Sequence, residues 1–494
     1  MKTAVVMNIG WLRGFSLFLL LVFLPSLLTA ADEERPFGCR HGGRRHGVVT
    51  RRAQENLKDL LKGDRRQMVV LVDFSDCKFQ APEPLAYWKR VFNEERFEEA
   101  PYTGSVHDYF YDQSYGQLNL QFDLYHVSLD KKYSMYGIND RNAGTLLITV
   151  ASELDKRGCT WDYYDWERDG YIDQVVIVYA GKGRNAGGGT ESIWPHQWSL
   201  SGQEREPLMV QSNATGYKFL VDKYCCVQEL DSQGGYGTFG TICHEYSHCF
   251  GLPDFYYDKS VQTVGSWDLM DSGNNNGGGY RPAGYSAHER WLMGWLTPAE
   301  LDQPAALEGV EALGSHQQAY IIRNNNYPNE YYMVENRQPT RWDAALPGSG
   351  VLVFHIDYDE DVWHTMNPNS AEHLRYRIFP ANNDSSIAEQ AGWSYPQGQN
   401  DSLCSNSSPH AYVFHPQADG SSLMRKPLTH IRVADGLASF DFMADRATAL
   451  LQPRTATATQ PSSCQILYRL GAVTIVRDTE GQIHKIIKKP LKCE

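Results

Sequence analysis

Three residues, His244, Glu245 and His248, form an H-E-x-x-H pattern, and Gly251, Pro253 and Asp254 follow closely. On a helix, residues four apart lie on one face. Two imidazoles so placed can each meet one zinc ion at about 2.0–2.1 Å. Glu245 lies beside them, within reach of a water it could hold and deprotonate. Gly251 suits the position just past a helix end, and Pro253 forbids continuation. The chain must then turn, so Asp254 can return as a third ligand and leave a fourth position open, as hydrolytic zinc requires. The plainer reading is a helix with two satisfied histidines. The added glycine, aspartate and stop signals count against it.

Such a site needs a helix anchored on its other side. Phe239, Ile242, Cys243, Tyr246 and Phe250 recur at helical spacing and supply an apolar face. A near-continuous apolar run at 68–74 predicts a central sheet strand. Helices are expected at 82–99, from 104 with Ser105 as cap, at 143–157 and at 283–295. Strands are expected at 118–127, 174–180, 330–336 and 351–357. The glycine-rich stretch 183–190 connects towards 193–196, a rim that could hold an extended peptide by strand addition. His107 and His126 read as structural.

The chain has 494 residues, 42% hydrophobic and 21% charged, which suits two to four globular domains. Lys2 and Arg13 flank the start of an apolar run that ends in small residues at Thr29, Ala30 and Ala31, the pattern of a secretory signal at 1–30. An uncleaved anchor is the rival reading. No later stretch suits a membrane span. Without residues 1–30 the chain carries 44 basic and 59 acidic residues, near −15, which disfavours nucleic acid as a partner. Ten cysteines form no paired C-x-x-C knuckles, so a zinc ribbon is not expected. Cys243 and Cys249 read as packing residues.

Residues 31–66 form a basic leader or pro-segment, with Arg44-Arg45, Arg51-Arg52 and Arg65-Arg66 as dibasic sites. Cys39 could cap the zinc as a thiolate and hold an enzyme latent, or simply form a disulfide. Further on, Asp165, Glu167, Asp169 and Asp173 stand at positions 1, 3, 5 and 9 of a calcium-type loop with Gly170 at 6. Val176 occupies the position of the bidentate glutamate, which excludes a full EF-hand. A shorter calcium loop and a plain acidic turn both remain open. His355 and Asp357 share a strand face as a second metal pair or, more simply, as a hydrogen-bonded one.

After the histidines comes 264–273, where Met270 sits in a tight turn, as a methionine does beneath the metal in zincins. Core packing is the other reading. Residues 244–254, 265–273 and 282–295 together resemble the immune-inhibitor-A-type secreted metallopeptidases of bacteria. The likeness extends to 69–76, 104–118, 169–181, 330–338, 342–350 and 351–357, and covers about residues 67–360. It implies that His244, His248 and Asp254 bind catalytic zinc, that Glu245 is the base and that Met270 underlies the site. It also implies a metzincin-like arrangement with Asp in place of the third His. The fold expected is an α/β (α+β) zincin-like catalytic domain, a twisted mixed sheet with an active-site helix, followed by a β-rich accessory region.

The expected organisation is a catalytic domain at 67–300, a β-rich region at 301–445, a linker at 446–463 and a tail at 464–494. The tail reads as a hairpin around 478–482 or as a segment pinned by Cys464 and Cys493. The activity expected is zinc-dependent hydrolysis of protein or peptide substrates outside the cell, with zinc as cofactor and calcium as a candidate second ion. Tyr280, Tyr285 and His288 are candidate oxyanion donors. The rival functions are a silent surface-binding relative of the enzymes and a zinc-dependent deacetylase.

Overall fold

The structure is a computed structural model. It describes residues 58–137, 142–257, 263–370 and 373–444, and the backbone of three strands between 465 and 487. The signal, most of the leader, Cys39, the linker, Cys464 and Cys493 lie outside the described residues.

The apolar run expected near 70 is strand β1 (Gly63–Asp73), whose last seven residues, Gln67 to Asp73, are buried, as is Phe74 just beyond. Val69 and Leu71 face one core, Met68, Val70 and Val72 the other. A strand covered on both faces carries no polar alternation, which is why the run is continuous. Helices α1 (Pro84–Asn93) and α2 (Val106–Gln113) follow. Ser105 caps α2 as expected: its Oγ accepts from Asp108 N at 3.1 Å, and Asp108 Oδ2 accepts from Ser105 N at 2.9 Å. Strand β2 (Leu118–Ser128) returns parallel to β1. Helix α3 (Ala143–Lys156) packs on the opposite face, and β3 (Val175–Lys182) pairs parallel to β1 on its other side.

Two short strands complete this sheet. β4 (His196–Ser199) runs antiparallel to β5 (Lys223–Leu230), and β5 runs parallel to β3. The order is β2-β1-β3-β5-β4, a mixed five-stranded sheet with β4 at one edge. β5 has no counterpart in the sequence reading. Its Lys, Cys-Cys, Gln and Glu mask a segment buried at every position but the first. A second small sheet joins Tyr171–Ile172, Lys218–Val221 and Leu208–Gln211.

Helix α4 (Phe239–Ser247) is the helix expected to carry the ligands. Its apolar residues Phe239, Ile242, Cys243 and Tyr246 enter the first core together with Cys225 and Val227 of β5. A Cβ on Gly240 would sit 1.8 Å from the Asn274 carbonyl, so only glycine lets the 272–279 loop lie against this helix. The next helix, α5 (Ala287–Leu292), is shorter than the expected 283–295, because Ser286 forms a capping box with Glu289 and so fixes the start.

Beyond α5 a second five-stranded sheet forms. Its strands β6 (Ala319–Arg323), β7 (Glu330–Arg337), β8 (Gly350–Asp357) and β9 (Tyr376–Ile378) are antiparallel neighbours, with Ala299–Glu300 at the β6 edge. One face, with Ile321, Met333, Phe354 and Tyr376, joins the first core. The other, with Tyr320, Tyr332, Val334 and Val353, packs with β10 (Leu428–Ala434) and β11 (Leu437–Phe442). The first core therefore runs from Leu61 to Trp393, across the position where the accessory region was expected to begin. Near the C-terminus, Gln465–Leu470, Val473–Arg477 and Ile483–Ile487 pair antiparallel, one strand more than the expected hairpin. The architecture is mixed α/β with several sheets and few helices.

Candidate active site

α4 ends at Ser247, and His248–Phe250 continues it as a tighter turn. Gly251 then takes φ +85°, the left-handed value that glycine adopts without strain. This exit sends the chain back, so Asp254 meets the histidines. His244 Nε2 and His248 Nε2 lie 3.2 and 3.3 Å from the same oxygen, Asp254 Oδ1. The rings are 4.8 Å apart and nearly perpendicular. All three side chains are buried, at 4%, 3% and 1% exposure, so water contributes little to their solvation. Among the described residues they are the group of His, Cys, Asp and Glu donors close enough to share one metal ion.

Each ring is oriented from behind. His244 Nδ1 donates to Leu269 O at 2.9 Å and His248 Nδ1 to Leu252 O at 2.7 Å. A proton held on Nδ1 leaves the Nε2 lone pair for a metal. Asp254 Oδ2 accepts from Tyr256 OH at 2.7 Å, and Asp254 N donates to Met366 O at 3.0 Å. Burial alone would lower the His244 pKa. The hydrogen bond and charge of Asp254, with the charge of Glu245, outweigh it and raise it to about 9. Two carboxylates beside two buried imidazoles thus favour a positive charge at this point. Two imidazole nitrogens and a carboxylate oxygen are donors that zinc accepts. The residues fit a metal ion.

Glu245 is buried beside the cluster on α4. Met270 is fully buried in the turn that supplies Leu269 O, and its own carbonyl accepts from Phe255 N at 2.9 Å.

The other candidates are placed elsewhere. The Tyr285 hydroxyl is buried against Ser247 Oγ. His288 is buried with Nδ1 3.1 Å from Tyr331 OH, and burial lowers its pKa to about 3. Tyr280 packs edge-on to Tyr102 at 5.0 Å. These contacts do not reach the three ligands, so they give an oxyanion role no support. In the acidic loop, Asp165 accepts from Asp169 N and Gly170 N, Asp169 from Tyr171 N, and Asp173 from Trp166 N at 2.6 Å. Burial, with the charges of Glu167 and Asp165, raises Asp173 to about 7. These four carboxylates, Asp165, Glu167, Asp169 and Asp173, do not converge on one point as the zinc-type cluster does, and the calcium expectation gains nothing from the geometry.

His355 and Asp357 do not pair with each other. His355 Nε2 bonds Glu330 Oε1 at 2.7 Å, and Asp357 takes His373, Arg375 and His415. His107 and His126 hold Asn119 and Asp73, as structural residues would. The residues the sequence did not single out are Tyr256 and the carbonyls of Leu252 and Leu269. A tyrosine two residues after a ligand was a readable signal for the first, whereas a carbonyl carries none.

The sequence model described as "Immune inhibitor A peptidase M6, catalytic domain" matches residues 148–295, which contain α4, the ligand loop and the methionine turn. Over that stretch the chain is similar to the immune inhibitor A peptidases. Curated relatives agree. The pre-pro-metalloprotease PrtV of Vibrio cholerae serotype O1 is 28% identical over 262 residues, 46% of this chain and 27% of that protein. Immune inhibitor A of Bacillus thuringiensis subsp. alesti is 24% identical over 317 residues, 53% of this chain and 45% of that protein. The chain therefore spans less than half the length of each. Among solved structures, OgpA from Akkermansia muciniphila aligns with 60% of this chain and 89% of its own at 11% identity, with a TM-score of 0.26, too low to carry an argument. Among the described residues no helix is long and apolar enough to cross a membrane.

Proposed function

We propose that this chain is a secreted zinc-dependent endopeptidase whose ligands are His244, His248 and Asp254 and whose general base is Glu245. The observation that carries the reading is the convergence of two Nε2 atoms on one Asp254 oxygen, with both Nδ1 atoms tied to backbone carbonyls. The family match and the metalloprotease relatives support it. On this reading the fold is zincin-like: a mixed sheet with an antiparallel edge strand β4, a ligand helix and a methionine turn at Met270.

When bound, zinc would acidify a water and polarise the scissile carbonyl. The chain's own residues do the rest. The backbone carbonyls of Leu269 and Leu252 hold the Nδ1 sides of His244 and His248, which turns both Nε2 atoms towards the ligand point. Tyr256 holds the far oxygen of Asp254, so one oxygen faces the ligand point. Glu245 takes a proton from the attacking water and delivers it to the departing amide nitrogen. Burial of the group excludes bulk water, which strengthens each of these interactions.

The rest of the chain fits export and processing: a signal at 1–30, a basic leader at 31–66 with dibasic sites, a catalytic domain beginning near 67, β-rich sequence from 301 to 445, a linker and a tail. The test is cleavage of casein and of a fluorogenic peptide by wild type, by zinc-stripped protein and by Glu245→Ala. Loss on stripping, return with zinc and no cleavage by the variant are expected. Undiminished cleavage by Glu245→Ala would overturn the assignment.

A further inference from the structure

The third ligand and the ring of the first ligand are supported by two separate loops, and one side chain far along the chain touches both. Tyr376, on β9 of the second sheet, is fully buried. Its ring stacks on Phe255, the residue after Asp254, with centroids 3.8 Å apart and planes 21° apart. Its hydroxyl donates to Asp268 Oδ2 at 3.0 Å and lies 2.7 Å from Ser286 Oγ. Asp268 Oδ1 in turn accepts from Met270 N at 2.8 Å, which closes the turn that presents Leu269 O to His244 Nδ1.

A second buried residue ties Tyr376 to the ligand loop. Asn369 Nδ2 donates to Phe255 O at 2.7 Å and to Tyr376 O at 2.8 Å, and its Oδ1 accepts from Tyr376 N at 2.8 Å. In the same segment Met366 O receives Asp254 N. Met366, Asn369 and Tyr376 thus hold the backbone on both sides of Asp254 and, through Asp268, the carbonyl that orients His244. All of them lie beyond the family match at 148–295.

Resting on the metal-site reading above, we infer that Tyr376 and Asn369 are positioning residues for the metal. They act through Phe255 and Asp268 to fix Asp254 and His244 in one geometry. The second sheet is then part of the metal site rather than an appendage to it. Without the Tyr376 hydroxyl, Asp268 loses a donor and the 268–271 turn loses a fixed end. Without Asn369, the Phe255 carbonyl is left with Thr263 Oγ1 as its side-chain donor, and the ligand loop is no longer tied to β9.

The test uses the full chain and zinc alone as probe. Zinc affinity of the metal-stripped protein is measured by competition with a chromogenic chelator, beside thermal unfolding of the same metal-stripped sample. Tyr376→Phe keeps the stacked ring and removes only the hydroxyl. Asn369→Ala removes the tie. Each is expected to weaken zinc binding roughly tenfold or more, the usual size for groups that orient metal ligands. Tyr395→Phe, a buried tyrosine in the same half of the chain whose hydroxyl has no hydrogen-bond partner among the described residues, is expected to bind zinc as wild type does. Variants that melt earlier but bind zinc with wild-type affinity would make both residues ordinary core and overturn the inference. A wild-type chain that binds no zinc would instead overturn the metal-site reading, and the inference with it.

Discussion

Among the described residues, the histidines and carboxylates at α4 and those in the second sheet are wired in opposite ways. At the α4 site both Nδ1 atoms are spent on backbone carbonyls, and both Nε2 atoms point at one carboxylate oxygen. In the second sheet the Nε2 atoms are the ones spent. His355 gives its Nε2 to Glu330, and His373 and His415 give theirs to different oxygens of Asp357, beside Arg375. Burial would raise the Glu330 pKa, but the bonds from His355, Phe414 N and Asn324 hold it below the ordinary value. Burial lowers that of His355. The pair is a neutral imidazole donating to an anion, and His355 Nδ1 has no hydrogen-bond partner among the described residues. The ring is clamped between Phe379 and Phe414. The same residue types make a group that could hold a metal ion in one place and a structural knot in the other. The difference is that at α4 backbone carbonyls take both Nδ1 atoms and both Nε2 atoms share one oxygen, whereas in the second sheet each Nε2 has a carboxylate oxygen of its own.

The comparison can be broken most sharply at Glu245. Glu245→Gln is expected to lower kcat/KM on a fluorogenic peptide by about 10²–10⁴-fold, the range of general acid–base catalysis, with zinc content by atomic absorption unchanged. Activity within a few-fold of wild type would remove the catalytic half of the contrast. Next comes the knot. His355→Ala leaves Glu330 buried without its main partner and opens a hole between two aromatic rings, so unfolding in urea should show a loss of roughly 3 kcal/mol. Zinc stoichiometry should not change. A drop in bound zinc would mean that the second cluster also holds metal.

A smaller effect is expected at Tyr256→Phe, which frees Asp254 Oδ2. Zinc affinity measured by chelator competition should fall by up to about tenfold with no change in fold by circular dichroism. No change would mean that the hydroxyl does not orient the ligand. The smallest effect concerns acid. A carboxylate held below its unfolded value of 4.5 stabilises the protein above that pH, and the contribution is lost as pH falls through the folded value. Glu330→Gln should therefore flatten the stability profile of the metal-free protein below about pH 4.5. An unaltered acid limb would show that Glu330 is not ionised in the folded chain.

The contrast also explains what the sequence reveals. The candidate metal-binding residues at α4 are legible because they are local. Spacing on a helix, a glycine free to take φ +85° and an aspartate three residues later determine most of the geometry within eleven residues. The strands β1, β2, β3, β7 and β8 are legible for the same reason, as short apolar or alternating runs. β5 was missed because its polar residues are buried, and their partners come from distant segments: Glu229 accepts from the backbone of Gln80, Ala81 and Gly181. His355 and Asp357 were singled out by a two-residue step that does place them on one face. Spacing could not say that Glu330, 25 residues earlier, and His415, 58 residues later, would claim them.

The sequence by itself determined which side chains could meet a metal, because a helix turns every 3.6 residues and a glycine-ended helix must reverse. It also determined that β1 would be buried on both faces, because nothing polar interrupts it. Only the tertiary structure decided which ring nitrogens stay available, that Tyr256 and Met366 fix the aspartate, and that a tyrosine 122 residues past Asp254 stacks beneath its loop. Hydrogen-bond partners and stacking neighbours are set by which surfaces a folded chain brings within a few ångströms, and spacing along the chain does not encode that distance.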